Sequence, residues 1–175
     1  MGVIKYFYKL FHPGVSEEMI PPRYRISLWS AVKKPVRKWF SAVLIPTIPF
    51  NGLRVICYRL CGYKIGGGTF IGMRCYLDDL CYDKIEIGKN VTISYGVYFA
   101  CHGRKQGHNR IVIEDGAYIG MRTSIIAPQD VVIGKKAIIG ACSLVNRSVA
   151  PGDTVAGVPA KPLHPRSNPG QTDNR

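Results

Sequence analysis

Residues 111–149 read IVIEDGAYIGMRTSIIAPQDVVIGKKAIIGACSLVNRSV, and their spacing decides the fold. Large aliphatics stand at Ile113, Ile119, Ile125, Ile133, Ile139 and Val145. Four residues after each comes Ala117, Thr123, Gln129, Ala137, Ser143 or Val149, small or β-branched except for Gln129. The same pattern runs back through Ile65, Ile71, Leu77, Ile87, Ile93 and Phe99, and glycine directly follows Ile65, Ile71, Ile87, Ile119, Ile133 and Ile139. A period of six suits neither an amphipathic helix nor a two-sided strand. It suits a chain wound around a triangular prism, one hexad to a side and three to a coil. The aliphatic points inward, the small residue packs near the corner, and glycine is expected to permit the bend. The twelve aliphatic positions make four sets of three, hence four coils, with Val155 opening a partial fifth. Coils of this kind stack at the strand spacing of about 4.8 Å.

Breaks in the period are as informative as the period. The steps from Leu77 to Ile87, Phe99 to Ile113 and Ile125 to Ile133 are 10, 14 and 8 residues instead of six. The extra residues must leave the prism as loops, and loops on a rigid scaffold are where chemistry concentrates. The largest insertion reads Cys101-His102-Gly103-Arg104-Lys105-Gln106-Gly107-His108-Asn109-Arg110.

The composition fits one domain with arms. The chain has 175 residues, 46% hydrophobic and 20% charged, with a formal charge of +13. Residues 1–64 hold 11 basic and 2 acidic residues, so most of the excess charge lies in the front third. We divide the chain into a basic amphipathic helical arm (1–49), a capping helix (50–64), the β-helix (65–164) and a polar, disordered tail (165–175). The six cysteines form no CxxC pair, which points to reduced, mostly buried thiols. No secretory signal and no apolar run of about 18 residues is present, so a cytoplasmic location is expected.

With these motifs in view, residues 50–164 resemble the hexapeptide-repeat acyltransferases, whose fold is a left-handed parallel β-helix. The subtype they look most like is the sugar O-acetyltransferases of the galactoside, maltose and exopolysaccharide type. The left hand is what the resemblance implies; general rules for parallel connections give the opposite one. It also implies acetyl-CoA as acyl donor, a homotrimer and a site between two subunits; no metal is expected, because a third inward coil histidine is missing.

Transfer of an acetyl group to a hydroxyl needs a base, an oxyanion donor and a channel for the thioester carrier. His102 is the candidate base. It follows the inward Phe99 at the root of the insertion, and VYFACHG followed by IVIEDGAYIG matches the layout around the family's catalytic histidine. A neutral imidazole accepts a proton readily near pH 7. By the same resemblance Met121, Ala141 and Asn146 lie along the pantetheine arm, and Lys161, in AGVPAK, approaches the nucleotide phosphates. The basic residue that some relatives carry three positions later is His164 here. His108 and Asp79 are candidate contacts of the acceptor. Asp78, Asp79 and Asp83 precede His102 by one coil; one of them orients the imidazole or binds the acceptor, or all three form a solvated corner, the reading we favour from sequence. Cys101 is read as a packed thiol rather than a nucleophile.

The arm mixes cations with large apolar residues. VIKYFYKLF is compatible with a helix, and RYRISLWSAVKKPVRKWFSAVLI carries six cations among Trp29, Trp39 and several aliphatics. Pro35 predicts two short helices there. Such arms lie on anionic membrane surfaces, so a peripheral contact with the inner face of the membrane through residues 1–49 is one expectation, and packing across the trimer is the other. Nucleic acid is not expected as a partner, because no binding fold accompanies the charge.

The combined expectation is an acetyl-CoA-dependent O-acetyltransferase acting on a saccharide, with direct transfer assisted by His102. The alternatives are an antibiotic acetyltransferase, a γ-class carbonic anhydrase using the same scaffold, and a non-catalytic trimeric scaffold. The carbonic anhydrases need three zinc-binding histidines. The four present are His12, His102, His108 and His164, and only His102 and His108 are near one another in sequence.

Overall fold

The computed structural model describes residues 3–21, 28–102 and 108–163. The chain divides into two compact units, Met1–Phe40 and Ser41–Arg175. Expectations for Arg104, Lys105, His164 and the tail 165–175 lie outside the described residues.

In the first unit, α1 spans Val3–Phe11 and α2 spans Leu28–Trp39. Pro35 does not split the segment as expected, but sits inside α2. Proline removes one intrahelical hydrogen bond, that to the carbonyl four residues earlier. An exposed helix tolerates this because water can serve the freed carbonyl, and Pro35 is exposed. The second unit begins with a π-helical stretch, Phe40–Leu44 at the boundary, then a 3-10 turn at Ile45–Thr47 and α3 at Asn51–Leu60.

Among the described residues, thirteen strands follow. They are β1 (Lys64–Ile65) and β2 (Phe70–Ile71); β3 (Ile85–Ile87), β4 (Thr92–Ile93) and β5 (Tyr98–Ala100); β6 (Ile111–Ile113), β7 (Tyr118–Ile119) and β8 (Ser124–Ile126); β9 (Val131–Ile133), β10 (Ile138–Ile139) and β11 (Leu144–Val145); and β12 (Thr154–Ala156) and β13 (Lys161–Pro162). They stack into three faces, ordered β1-β3-β6-β9, β2-β4-β7-β10-β12-β13 and β5-β8-β11. All pairings are parallel except β12 with β13. The fold is a left-handed parallel β-helix of about four turns.

The register converts the six-residue period into columns. Ile65, Ile87, Ile113 and Ile133 stack on the first face, and Ile71, Ile93, Ile119, Ile139 and Val155 on the second. Phe99, Ile125 and Val145 stack on the third. Eleven of the twelve aliphatic positions are buried, Ile65 in the end coil being the exception. Each such side chain contributes roughly 1.5–3 kcal/mol by leaving water.

The glycines act differently from the expectation. The left-handed backbone falls three residues after the aliphatic, at Gly68, Arg74, Asn90, Gly96, Gly116, Arg122, Lys136, Cys142 and Gly152. The glycine directly after the aliphatic is there for clearance. A Cβ on Gly120 would lie 2.5 Å from the Ala141 backbone nitrogen, and one on Gly66 would lie 2.5 Å from the Gly88 carbonyl carbon. At these glycines the next coil leaves no room for a side chain, although Ser94 and Glu114 hold the equivalent place in other coils.

Helix α3 covers the open end of the first coil. Asn51 Oδ1 accepts the Ile71 amide at 2.9 Å, and the Arg54 guanidinium, 1% exposed, donates to the Ile71 and Ile48 carbonyls. Burial holds that guanidinium below its usual pKa. Tyr63 Oη donates to the Leu77 carbonyl at 3.0 Å. An end strand that would otherwise present unpaired groups is thereby tied down, together with the chain leading into Asp78.

Candidate active site: an aspartate–histidine pair at the third corner

All three register breaks project at one corner of the prism, where the third face ends. Tyr76 bridges to Tyr98 in the next coil, so the loops after Leu77 and after Phe99 leave the scaffold one above the other. This brings Asp78 and His102 together from positions 24 residues apart. Asp78 is fully buried; its Oδ2 accepts the Cys101 amide at 2.7 Å and lies 2.5 Å from His102 Nδ1, while its Oδ1 accepts the Leu80 amide at 3.1 Å. With the carboxylate as acceptor, Nδ1 carries the proton and Nε2 keeps its lone pair. The imidazole is 36% exposed at the side chain, so a buried anion holds one edge of the ring and the other remains reachable.

The favoured expectation of a solvated acidic corner is therefore corrected for two of the three aspartates. Asp78 and Asp79 are buried, and only Asp83 is largely exposed. Asp79 Oδ1 accepts the Tyr76 hydroxyl at 2.6 Å, and Tyr76 stacks on Tyr98 with ring centroids 4.7 Å apart. Tyr98 is itself 44% exposed. Burial first, then the neighbouring carboxylates, push the Cys81 thiol up to about 11 and the Cys101 thiol up to about 12. A thiol so far above neutral pH carries almost no thiolate, which makes Cys101 a poor nucleophile.

The loop is tied at both feet. The Asn109 amide donates to the Cys101 carbonyl at 3.0 Å, Asn109 Nδ2 to the Ala127 carbonyl at 2.9 Å, and the Arg110 amide to Asp130 Oδ1 at 2.8 Å. His108 stands exposed on the returning limb. Met121 and Ala141 are exposed at a different corner, the one after the second face, on adjacent coils. Asn146 follows β11 at the third corner, and its Oδ1 is buried without a hydrogen-bond partner among the described residues. Lys161 is exposed at the start of β13, beside Ala160, whose amide donates to the Leu144 carbonyl at 2.8 Å. One chain thus joins His102 to Asp78 and leaves Asn146 at the third corner, while Lys161, paired with Ala156 on the second face, shares the edge of Met121 and Ala141.

Asp78, Cys81 and His102 have donor atoms within 4.8 Å of one another, the one group of this kind among the described residues. It offers a single imidazole, already bound to the carboxylate, and not the three imidazoles of a γ-class carbonic anhydrase.

Comparison with known proteins agrees with this architecture. The solved hexapeptide-repeat-containing acetyltransferase of Vibrio cholerae superposes with a TM-score of 0.61, covering 78% of this chain and 90% of that one at 24% identity. At the level of sequence, the bifunctional protein GlmU of Rubrobacter xylanophilus is 37% identical over 115 residues, 62% of this chain and 24% of that protein. The likeness is to acetyltransferases built on the same repeat. The serine acetyltransferase of Bacillus licheniformis is 35% identical over 104 residues, 57% of this chain and 47% of its own length. The chain spans less than half the length of these curated relatives. No family model matches it.

Asp78 is the residue that sequence reasoning ranked too low. Its signal was positional: it directly follows the third aliphatic of the first coil, and His102 follows the third aliphatic of the second by three residues.

Proposed function

We propose that this protein is an acetyl-CoA-dependent O-acetyltransferase in which His102 is the general base and Asp78 orients it. The observation that carries the reading is the 2.5 Å contact between a fully buried carboxylate and a half-exposed imidazole. His102 Nε2 takes the proton of the acceptor hydroxyl as its oxygen bonds to the acetyl carbon. Asp78 stabilises the imidazolium so formed and prevents the ring from turning. His102 then returns the proton to the departing thiolate, so the histidine ends as it began. Acetyl-CoA supplies the activated acetyl thioester, and a solved Vibrio cholerae relative with the same fold is a complex with acetyl coenzyme A. The residues here suit such a ligand in two respects. Asn146 Oδ1 has an acceptor's lone pairs to offer an amide N–H, and Lys161 is an exposed cation for a phosphate.

The acceptor we infer is a saccharide, met between subunits of a homotrimer. Support comes from Tyr98, an exposed aromatic face on the strand that leads to His102, of the sort on which apolar sugar faces pack. The subunit boundary is supported by the placement of Met121 and Ala141 away from His102 within one chain. A second reading, an amino-acid hydroxyl as acceptor, is favoured by the serine acetyltransferase likeness. Free CoA thiol released from acetyl-CoA in the presence of sugars, serine or hydroxylated antibiotics tests all three acceptor classes in one assay. Release with none of them, or full release by a folded His102→Ala variant, overturns the proposal. Light scattering reads the trimer directly.

A further inference from the structure

We propose that the N-terminal unit docks this protein flat onto an anionic lipid bilayer. Helix α1 leaves Tyr6, Phe7, Leu10 and Phe11 between 53% and 75% exposed. On α2, Val32, Val36 and Trp39 are 49%, 55% and 56% exposed and stand at i, i+4 and i+7, one face of the helix. Soluble helices turn such a face inward. Here two successive helices leave it in water.

Charge identifies the occupant. Neither helix contains an acidic residue, and α2 carries Lys33, Lys34, Arg37 and Lys38. Lys33 and Arg37 lie one turn apart on the side away from Val32, Val36 and Trp39. A second copy of the same arm would bring like charges together, with 11 basic against 2 acidic residues in positions 1–64. Nucleic acid would use the cations and leave the aromatic and aliphatic face wet. An anionic bilayer satisfies both faces at once: acyl chains and the interfacial zone take the apolar stripe, and head groups take the cations. No described helix is long and apolar enough to cross a membrane, so the geometry is that of a helix lying in the interface. Docking does not depend on the acetyl-transfer reading; if both hold, the saccharide acceptor is one presented at a bilayer surface.

The test is flotation of the full chain with vesicles of phosphatidylcholine containing about 30% phosphatidylglycerol, against phosphatidylcholine alone. The expected result is retention on the anionic vesicles at low salt, retention lowered by salt through screening, and little on the neutral ones. Phe7→Ser with Phe11→Ser, Val36→Ser with Trp39→Ser, and Lys33→Glu with Arg37→Glu should each lower the bound fraction about tenfold or more. A Trp29→Phe variant leaves Trp39 as the sole tryptophan, whose emission should shift to the blue and be quenched by brominated lipid. Three results overturn the proposal: no retention on anionic vesicles at low salt, retention indifferent to all three double variants, or a molar mass in solution that falls when Phe11 and Trp39 are replaced. The charge-reversal pair changes the exposed Lys33 and the half-buried Arg37, neither of them on the apolar face, so it stays informative if an apolar variant misfolds.

Discussion

At its first two corners the prism repeats itself, and at the third it varies from coil to coil. The regular corners carry a left-handed residue at nine successive turns and close-packed glycines that leave no room for a side chain. The third corner carries inserted loops of unequal length, three buried thiols or carboxylates in its first loop, and the Asp78–His102 pair. The lesson is a division of labour enforced by stacking. Where every coil must match the next, side chains are dictated by clearance. Where the chain may leave the stack, polar groups can be buried against one another and a ring can be held at a chosen angle.

If that division is right, substitutions at the two kinds of corner should separate turnover from stability. The largest effect belongs to His102→Ala, which should lower acetyl transfer by about two to four orders of magnitude while the thermal midpoint holds. Equal losses of activity and stability would merge the two kinds of corner again. Next comes Asp78→Asn. Its amide can donate to Nδ1 and force the proton onto Nε2, so turnover should fall roughly a hundredfold or more while acetyl-CoA still binds; imidazole NMR reads the tautomer. A regular corner should answer the other way. Gly66→Val pushes a side chain against the Gly88 backbone and should cost about 1–3 kcal/mol in urea unfolding, with turnover of the folded fraction nearly intact. Smaller still, Arg122→Gly relieves a left-handed residue and should stabilise by about 0.5 kcal/mol, the steric relief being partly offset by the added chain entropy.

The smallest effect is alkaline. Cys81 and Cys101 are held well above the ordinary thiol value of 9.0, at about 11 and about 12. The folded state therefore keeps protons that the unfolded chain loses first. Their contribution to stability is whole below about pH 9 and is lost as pH rises toward about 12. Cys101→Ala should flatten that decline in urea midpoints between pH 9 and 11; an unchanged slope would mean that the third corner does not bury its thiol as the structure has it.

Much of the scaffold was legible because each coil repeats the same local problem. Ile113, Ile119 and Ile125 must point inward for the reason that Ile133, Ile139 and Val145 do, so twelve residues vote for one geometry. Pro35 was misread because a local rule about helices ignores how readily an exposed carbonyl finds water. Glycine was misread for the opposite reason: bending is a property of one turn, whereas the clearance at Gly66 and Gly120 belongs to two stacked coils.

What the amino-acid order determined alone is the periodic part: the prism, its four coils, the place where the chain leaves it and the amphipathic character of the arm. Those follow from side-chain size and spacing, which act over a few residues. What only the tertiary structure decided is that Asp78, and not Asp79 or Asp83, reaches His102. That choice rests on which strand end sits over which, on the Leu80 and Cys101 amides that fix the carboxylate, and on burial that makes the contact strong. None of these is a property of the chain segment between the partners, which stand 24 positions apart; each arises from stacking one coil upon another.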